Sequence, residues 1–400
     1  MEGIKSKSLT LLIFIPLALF IFIRPFLSGL AYPSLEFYYQ NGLIILAALG
    51  ILTIRGSRIK NNYTAPILLL LGAYALSTII GINTKNSVQE LTRLVSCVSI
   101  FFLVSRSDGD QKKSLVKIMV FSASLISLYS LYQFMWGYDR TLAYLKETQS
   151  NFLATSSYAK DILIAKRAIG TFPSPNIFGS YLIAMFFLSL AMIKDARRRI
   201  QWFLPPILIL SALLLTKSVG AWLSLFITLF ILIAWLKPKK YKNTALLLVA
   251  VASLAVFSFI IKNRCERFVD FNSPQNSITQ RLDYWRTAIR VIKEHPFTGV
   301  GAGNFQEVFL KYKVGLSTDT RYAHNIFLHT WSETGMLGLI GIFYLIAAFF
   351  KKLYTKPKAK FILLSGLALI LHNLIDNSYF IPETGLFWWI LLGLSLDNKL

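Results

Sequence analysis

The sequence has few charged residues and almost no cysteine for a chain of its length. Asp, Glu, Lys and Arg make up 15% of its 400 residues, whereas hydrophobic residues make up 55%. Soluble domains average about 25% charged residues, so this chain has more apolar surface than one water-soluble core can bury. Its two cysteines, Cys97 and Cys265, exclude a secreted scaffold built on disulfide bonds.

Long apolar stretches take the place of the missing charge. A helix needs about 20 apolar residues to cross a bilayer. We therefore predict an all-α polytopic integral membrane protein, a single transmembrane domain over residues 1–400 with about twelve transmembrane helices. The first stretch contains Arg24 and Pro25 and lacks a small-residue cleavage pattern, so we interpret it as a retained helix. The predicted spans lie at about 9–30, 38–54, 65–83, 90–105, 114–136, 175–193, 201–216, 219–236, 244–261, 323–350, 359–376 and 384–396.

Acidic residues are also scarce, with 19 Asp and Glu against 42 Lys and Arg and a net charge of +23. The basic residues cluster in alternate loops, so that one side of the predicted membrane holds 23 of them with only five acids. The positive-inside rule places this side and both termini in the cytoplasm. The alternative is that the clusters bind nucleic acid or anionic lipid, and we predict no nucleic-acid partner.

Two long loops fall on the outer side, at about 137–174 and 262–322. Long loops in compact proteins are usually functional or disordered. The second loop contains an amphipathic pattern from Thr279 to Lys293, in which apolar residues recur every three or four positions. We predict a short helix there, and we expect this larger loop to carry part of an active site.

His324 lies where the larger loop enters a predicted span. An imidazole at such a boundary can accept a proton near neutral pH; the structural alternative is an interfacial histidine bonded to a backbone carbonyl. His324 and His329 do not share a helix face, so we predict no metal site. Asp108-Gly-Asp110 resembles an aspartate pair that binds metal–nucleotide complexes, but its loop is too short for a nucleotide, and we predict a solvated turn.

Four basic residues lie on the outer side: Arg167, Lys217, Arg281 and Arg321. Charges near the bilayer core are unfavourable, so their presence beside span ends indicates an anionic ligand, and arginine forks suit a phosphate or diphosphate. The alternative is anchoring to lipid headgroups. Asn176 is a candidate helix cap. The turn Gly299–Asn304 follows no strand, so we interpret it as close backbone packing or an anion contact, not a dinucleotide loop.

Several strings in this order and topology resemble the O-antigen ligase and polymerase superfamily of bacterial envelope glycosyltransferases. The resemblance covers residues 165–345 by motif. The strings are Arg167-x-x-Gly-Thr-Phe-x-x-Pro-Asn176, Arg281-Leu-Asp-Tyr-Trp285, His295-Pro-Phe-Thr-Gly299 with its glycine turn, and His324-Asn325 followed by Gly335 in Glu333-Thr-Gly.

The resemblance implies a periplasmic site that transfers a glycan from undecaprenyl diphosphate to a sugar hydroxyl of lipid A–core, without metal or cofactor and with inversion. It implies catalytic roles for His324 and Arg281. Lys217-Ser-Val219-Gly-Ala221 departs from the family, which carries an arginine where Val219 stands. The implied substrate-binding residues are Arg167, Lys217, Arg321, Asn325 and Asn176.

Two alternatives to the ligase remain. A polymerase of the same superfamily uses another lipid-linked repeat as acceptor, and these motifs barely separate the two. A lipid or glycan transporter is the rival from another class. Transporters place ionisable residues at mid-membrane and often contain inverted repeats, whereas the predicted spans are nearly uncharged at their centres and show no repeat.

Overall fold

The computed structural model describes residues 2–53, 62–149, 151, 155–156, 159–195, 200–234, 242–262, 270–271, 276–315, 317, 319–354 and 359–396. All regular structure within these ranges is helical. Cys265 lies outside the described residues. The helices are α1 (Glu2–Ile23), α2 (Pro33–Thr53), α3 (Thr64–Ile80), α4 (Thr84–Arg106), α5 (Gly109–Tyr132), α6 (Tyr138–Thr148), α7 (Pro175–Asp195), α8 (Leu204–Thr216), α9 (Val219–Ala234), α10 (Lys242–Lys262), α11 (Ser277–Glu294), α12 (Phe305–Tyr312), α13 (Ile326–Tyr354), α14 (Lys360–Asn373) and α15 (Pro382–Leu394).

The apolar helices identify a multi-pass membrane protein. Among the described residues, six helical segments are long and apolar enough to cross a bilayer, and five shorter apolar helices accompany them. Each predicted span overlaps one helix of the structure. The shortest of these, α8 and α15, have 13 residues each, fewer than the roughly 20 that a bilayer requires, so the number of crossings stays a prediction.

Helix α15 forms the centre of the bundle. Every residue from Glu383 to Leu394 is buried, and Trp388 and Trp389 are the largest of the buried side chains. It packs against α4, α7 and α14. A helix that is apolar on all sides requires partners on all sides. By contrast, only 6% of the apolar stretch of α10 is buried in the protein, which leaves its surface for lipid.

The outer loops contain more helix than their composition predicts. Helix α5 continues through a π-helical turn at Gln133–Gly137 into α6, so that Gly109–Thr148 is one helical segment. The local helix-forming residues of α6 thus extend the helix beyond its apolar part, and the loop boundary at about 137 stays a prediction. The predicted amphipathic helix is confirmed as α11, whose N-terminus is capped by the side chain of Asn276.

Asp108 likewise has a local structural role. Its carboxylate caps the start of α5 by accepting hydrogen bonds from the backbone N–H groups of Asp110 and Gln111 at 3.0 and 2.9 Å. In return, the side-chain oxygen of Gln111 accepts a hydrogen bond from the Asp108 N–H at 3.0 Å, which completes a capping box. The aspartate pair is therefore part of a helix start.

Helix α13 is interrupted at Gly335, which has φ +67°. A side chain there would collide with the carbonyl group of Phe297, so only glycine fits. The segment before the glycine turn pairs with the opened helix: Val300 N–H donates to Ser332 O at 3.0 Å, and Met336 N–H to Pro296 O at 3.1 Å. The large loop is thus fixed to the start of α13.

The glycine turn binds an anion that belongs to the chain itself. The Glu333 carboxylate accepts hydrogen bonds from the backbone N–H groups of Gly303 and Phe305 at 2.8 and 3.1 Å. Gly299, Gly301 and Gly303 all have positive φ, which lets the backbone curl around this carboxylate. The turn therefore holds α12 against α13.

Candidate active site

A cavity of about 230 Å³ lies where three helices begin. We call this end of the bundle the cavity end. Asn176 opens α7, Val219 and Gly220 open α9, and Ser277 opens α11. Helix N-termini carry partial positive charge and backbone N–H groups without partners within the helix, so the cavity suits an anion. It is lined by Asn176, Val219, Gly220, Ser277, Ile278, Arg281, Leu282, Trp285 and Ile375.

Arg281 is the cationic side chain that lines this cavity. It lies one turn into α11, with its side chain 23% exposed. Its Nε donates to Ile375 O at 2.6 Å, Nη1 to Ser277 O at 2.9 Å, and Nη2 to Asp376 Oδ2 at 3.4 Å. A guanidinium has five N–H donors, so these three bonds fix its orientation and leave two donors for a ligand.

Asp376 supplies the counter-charge and was missed in the sequence. It lies between α14 and α15, where Oδ1 accepts from Asn377 N–H at 2.8 Å. Burial raises the pKa of this carboxyl, but nearby His372, His324 and Arg281 hold the pKa below its ordinary value, so it is ionised at neutral pH. The only signal in the sequence is an acid at the very end of a predicted span.

His324 lies near this carboxylate, just before α13. Its backbone has φ +53°, its ring stacks on Tyr284 with centroids 5.4 Å apart, and its carbonyl accepts from Trp285 Nε1 at 3.4 Å. Among the described residues, its buried Nδ1 has no hydrogen-bond partner. That disfavours the structural alternative, in which a ring nitrogen of His324 is hydrogen-bonded to a backbone carbonyl.

The environment of His324 sets its protonation state. Burial lowers its pKa from 6.5 to about 4; Asp376 acts in the opposite direction, and Arg281 and His372 lower it further. The imidazole is therefore neutral at neutral pH, and the neutral form is the one that accepts a proton. A bound anion beside it would raise its basicity.

Asn325 fixes the segment that carries His324. Its Oδ1 accepts from the N–H groups of Phe327 and Leu328, both at 3.0 Å, and so caps α13. Its Nδ2 donates to Leu374 O at 2.9 Å, next to the Asp376 segment. Asn325 thus joins the segment that carries His324 to the segment that carries Asp376. It does not line the cavity.

Arg167 lies behind the cavity wall, and its side chain is 3% exposed. Its Nη1 donates to Asp161 Oδ2 at 2.5 Å, its Nε to Thr216 O at 3.0 Å, and its Nη2 to Asn176 Oδ1 at 3.2 Å. The guanidinium therefore positions Asn176. Because Oδ1 of that amide accepts from Arg167, its NH₂ group is the part that can donate to a ligand.

The structure places Lys217 and Arg321 away from the lining of this cavity. Lys217 ends α8 in a left-handed conformation, and its Nζ donates to Ala165 O at 2.8 Å. Arg321 pairs with Glu90 Oε1 on α4 at 3.2 Å. The structure therefore brings together Arg281, His324, Asn325, Asn176 and Arg167, and adds Asp376 and His372.

Within the described residues, no three His, Cys, Asp or Glu side chains form a group that could hold a metal ion. The cluster can instead bind an anion through Arg281 and the helix starts, and accept a proton at His324. These are the functions needed to displace a phosphate-linked group with a hydroxyl.

Comparison with known proteins identifies this part of the chain. The chain is 22% identical over 412 residues to an uncharacterized protein of Haemophilus influenzae, and the match covers 95% of each. Residues 205–343, which include Arg281, His324 and Gly335, match the family described as O-antigen ligase. This match confirms the resemblance of the sequence to the O-antigen ligase and polymerase superfamily over this region, and it supports enzymatic activity of that general type.

Proposed function

We propose that this protein transfers a glycan from a polyprenyl (undecaprenyl) diphosphate to a sugar hydroxyl of lipid A–core at the periplasmic face of the inner membrane. The observation that carries the proposal is the cavity at which Arg281 and three helix starts converge beside His324. An enzyme outside the cytoplasm has no supply of nucleotide sugars, so a lipid-linked donor matches the predicted topology.

The cavity would hold the diphosphate of the donor. Arg281 has two N–H donors left after its three protein contacts, and the starts of α7, α9 and α11 add partial positive charge. The Asn176 amide adds a neutral donor. Negative charge grows on the leaving diphosphate during transfer, so fixed donors of this kind stabilise the transition state more than the ground state.

His324 would activate the acceptor. The hydroxyl oxygen attacks the anomeric carbon as its proton passes to the imidazole, and the bond from that carbon to the phosphate oxygen breaks. The polyprenyl diphosphate leaves with the electron pair, and a single displacement inverts the anomeric centre. The Asp376 carboxylate would stabilise the imidazolium that forms. General-base help of this kind contributes about 10²–10⁴-fold.

Reconstitution tests this proposal. Purified protein is supplied with a polyprenyl-diphosphate glycan and with lipid A–core in the presence of a chelator, and product is measured by mass. We expect glycosylated lipid A–core. If product forms only when a second lipid-linked repeat replaces lipid A–core, the protein is a polymerase. If the protein transports the lipid and no glycosidic product forms, the proposal of an enzyme is refuted.

A further inference from the structure

Trp285 is a cavity residue to which the proposed mechanism gives no role. It lies in α11 one turn after Arg281, so both side chains are on the face of the helix that lines the cavity. Its indole Nε1 donates to the backbone carbonyl of His324 at 3.4 Å. Trp285 therefore forms part of the cavity wall and also contacts the segment that carries the base.

The backbone conformation of His324 requires support from its surroundings. Its φ of +53° is in the left-handed region, which residues other than glycine and asparagine seldom adopt. Such a conformation persists where the surrounding contacts determine it, and it often marks a functional site. Rotation about φ at this residue would turn the imidazole away from Tyr284, on which it stacks with 5.4 Å between ring centroids.

Separate hydrogen bonds anchor the chain on both sides of His324. Before it, the Ala323 N–H donates to His329 Nδ1 at 3.5 Å. After it, the Asn325 side chain donates to Leu374 O at 2.9 Å. The bond from Trp285 fixes the peptide group between these two anchors. Loss of that bond should therefore change the direction of the imidazole and leave the segment attached to the protein.

We propose that Trp285 is a positioning residue, whose indole N–H holds the His324 carbonyl so that the imidazole is directed at the attacking hydroxyl. The inference rests on the proposed function, because it takes His324 as the base. Helix α11 then carries the guanidinium that binds the diphosphate and, one turn later, the indole that directs the base. A single rigid helix thereby sets the distance between the leaving group and the base, as catalysis by orientation requires.

Two variants remove the indole N–H and keep an aromatic ring in the cavity wall. Trp285→Phe does so with a smaller ring. Benzothienylalanine at position 285 replaces the indole nitrogen with sulfur and preserves the shape of the side chain, so this variant is expected to fold. Trp331→Phe is the matched control, because Trp331 Nε1 also donates to a backbone carbonyl, that of Pro296 at 2.9 Å, and Trp331 does not line the cavity.

Turnover and donor binding are measured separately. Transfer is assayed at saturating donor, and binding of polyprenyl diphosphate lacking a glycan is followed through the rise in Tm of the detergent-purified protein. We expect both variants at position 285 to lower kcat by about tenfold, the effect of one neutral hydrogen bond, and to bind the probe within about twofold of wild type. Trp331→Phe should lower Tm and leave kcat unchanged.

Two further readouts show whether Trp285 acts through His324. In the double variant His324→Ala/Trp285→Phe, kcat should be no lower than in His324→Ala alone, because the base is already absent. Burial holds the pKa of His324 at about 4, below its ordinary 6.5, while Asp376, Arg281 and His372 act on the ring. A displaced imidazole is more hydrated, so the acid limb of kcat/KM should move upward in Trp285→Phe.

The failures are distinguishable. If the wild-type protein transfers the glycan and both variants at position 285 keep its kcat, the assignment of Trp285 is wrong while the proposed function stands. An additional loss of kcat in the double variant, or an equal loss in Trp331→Phe, would also overturn the assignment. If the wild-type protein transfers no glycan, or if His324→Ala retains full turnover, the proposed base falls and the assignment falls with it.

Discussion

Two largely buried ionic clusters lie at the cavity end of the bundle, and they differ in how completely they are paired. The paired cluster consists of Glu90, Arg93, Arg321, His329 and Glu333. Arg93 and Arg321 both bind Glu90, at 2.7 and 3.2 Å. His329 lies 3.5 Å from Glu333, whose carboxylate also accepts two backbone N–H groups.

The open cluster consists of Arg281, His324, His372 and Asp376. It borders a cavity of about 230 Å³ through Arg281, and three of its four imidazole nitrogens are buried without a hydrogen-bond partner in the described part of the chain. Buried polar groups are normally paired. The paired cluster therefore holds helices together, whereas the open cluster has polar groups that a ligand could pair.

The largest expected effect is on catalysis in the open cluster. His324→Ala should lower kcat by about 10²–10⁴-fold, because it removes the group that accepts the proton of the hydroxyl. Steady-state transfer assays with saturating donor measure this change. His295→Ala is the control, since His295 contacts Tyr312 in the outer loop and lies outside the open cluster. Full turnover by His324→Ala would remove the general base from the mechanism.

Next in size is the loss of the guanidinium. Arg281→Ala should lower kcat/KM for the donor by about 10²–10³-fold, because one preorganised donor to the developing negative charge is lost. The acceptor KM should change much less. Arg290→Ala, an exposed position on the same helix, serves as the control. Equal loss in both arginine variants would show that helix stability, and not diphosphate binding, determines the effect.

Substitutions in the paired cluster should lower the stability of the protein more than its activity. Glu90→Gln leaves the buried guanidinium of Arg93 without its carboxylate, which is expected to lower the free energy of unfolding by about 3 kcal/mol. The Tm of purified protein measures this loss, and transfer per folded molecule should stay within a few-fold of wild type. Glu307→Gln, at an exposed carboxylate bonded to Asn86, should shift Tm far less. A selective loss of kcat without a loss of Tm would assign Glu90 to the open cluster.

The smallest effect concerns pH. The pKa of His324 lies below its ordinary value, at about 4, so the folded protein keeps this imidazole neutral as pH falls from 7 to 5. The acid limb of kcat/KM, which reports the free enzyme, should therefore appear near pH 4, with less than about twofold change between pH 7 and 5. A limb near pH 6.5 would contradict the burial of His324.

The sequence predicted the helices and part of the open cluster. Apolar runs identify helices because burial in lipid depends on composition. The spacing of Leu282, Trp285 and Ile289 predicted α11, but in the structure Leu282 and Ile289 are exposed, and the buried face of the helix carries Tyr284, Ala288 and Val291. Arg281 and His324 follow from residue type and motif. Their ion-pair partners could not be predicted in this way, because Asp376 lies 95 residues from Arg281 and Glu90 lies 231 residues from Arg321. Such pairs are set by tertiary packing.

The interruption at Gly335 divides α13 into two rods. The upper rod, which starts beside His324, is bonded to the outer loop at Ser332 and Glu333. The lower rod is bonded to it at its first residue, Met336, and continues to Tyr354. We expect a change in bilayer thickness to tilt the lower rod about this joint and leave the imidazole in place. Transfer rates in vesicles of short-chain and long-chain lipids should then be similar, and a steep dependence on acyl length would show that the joint is rigid.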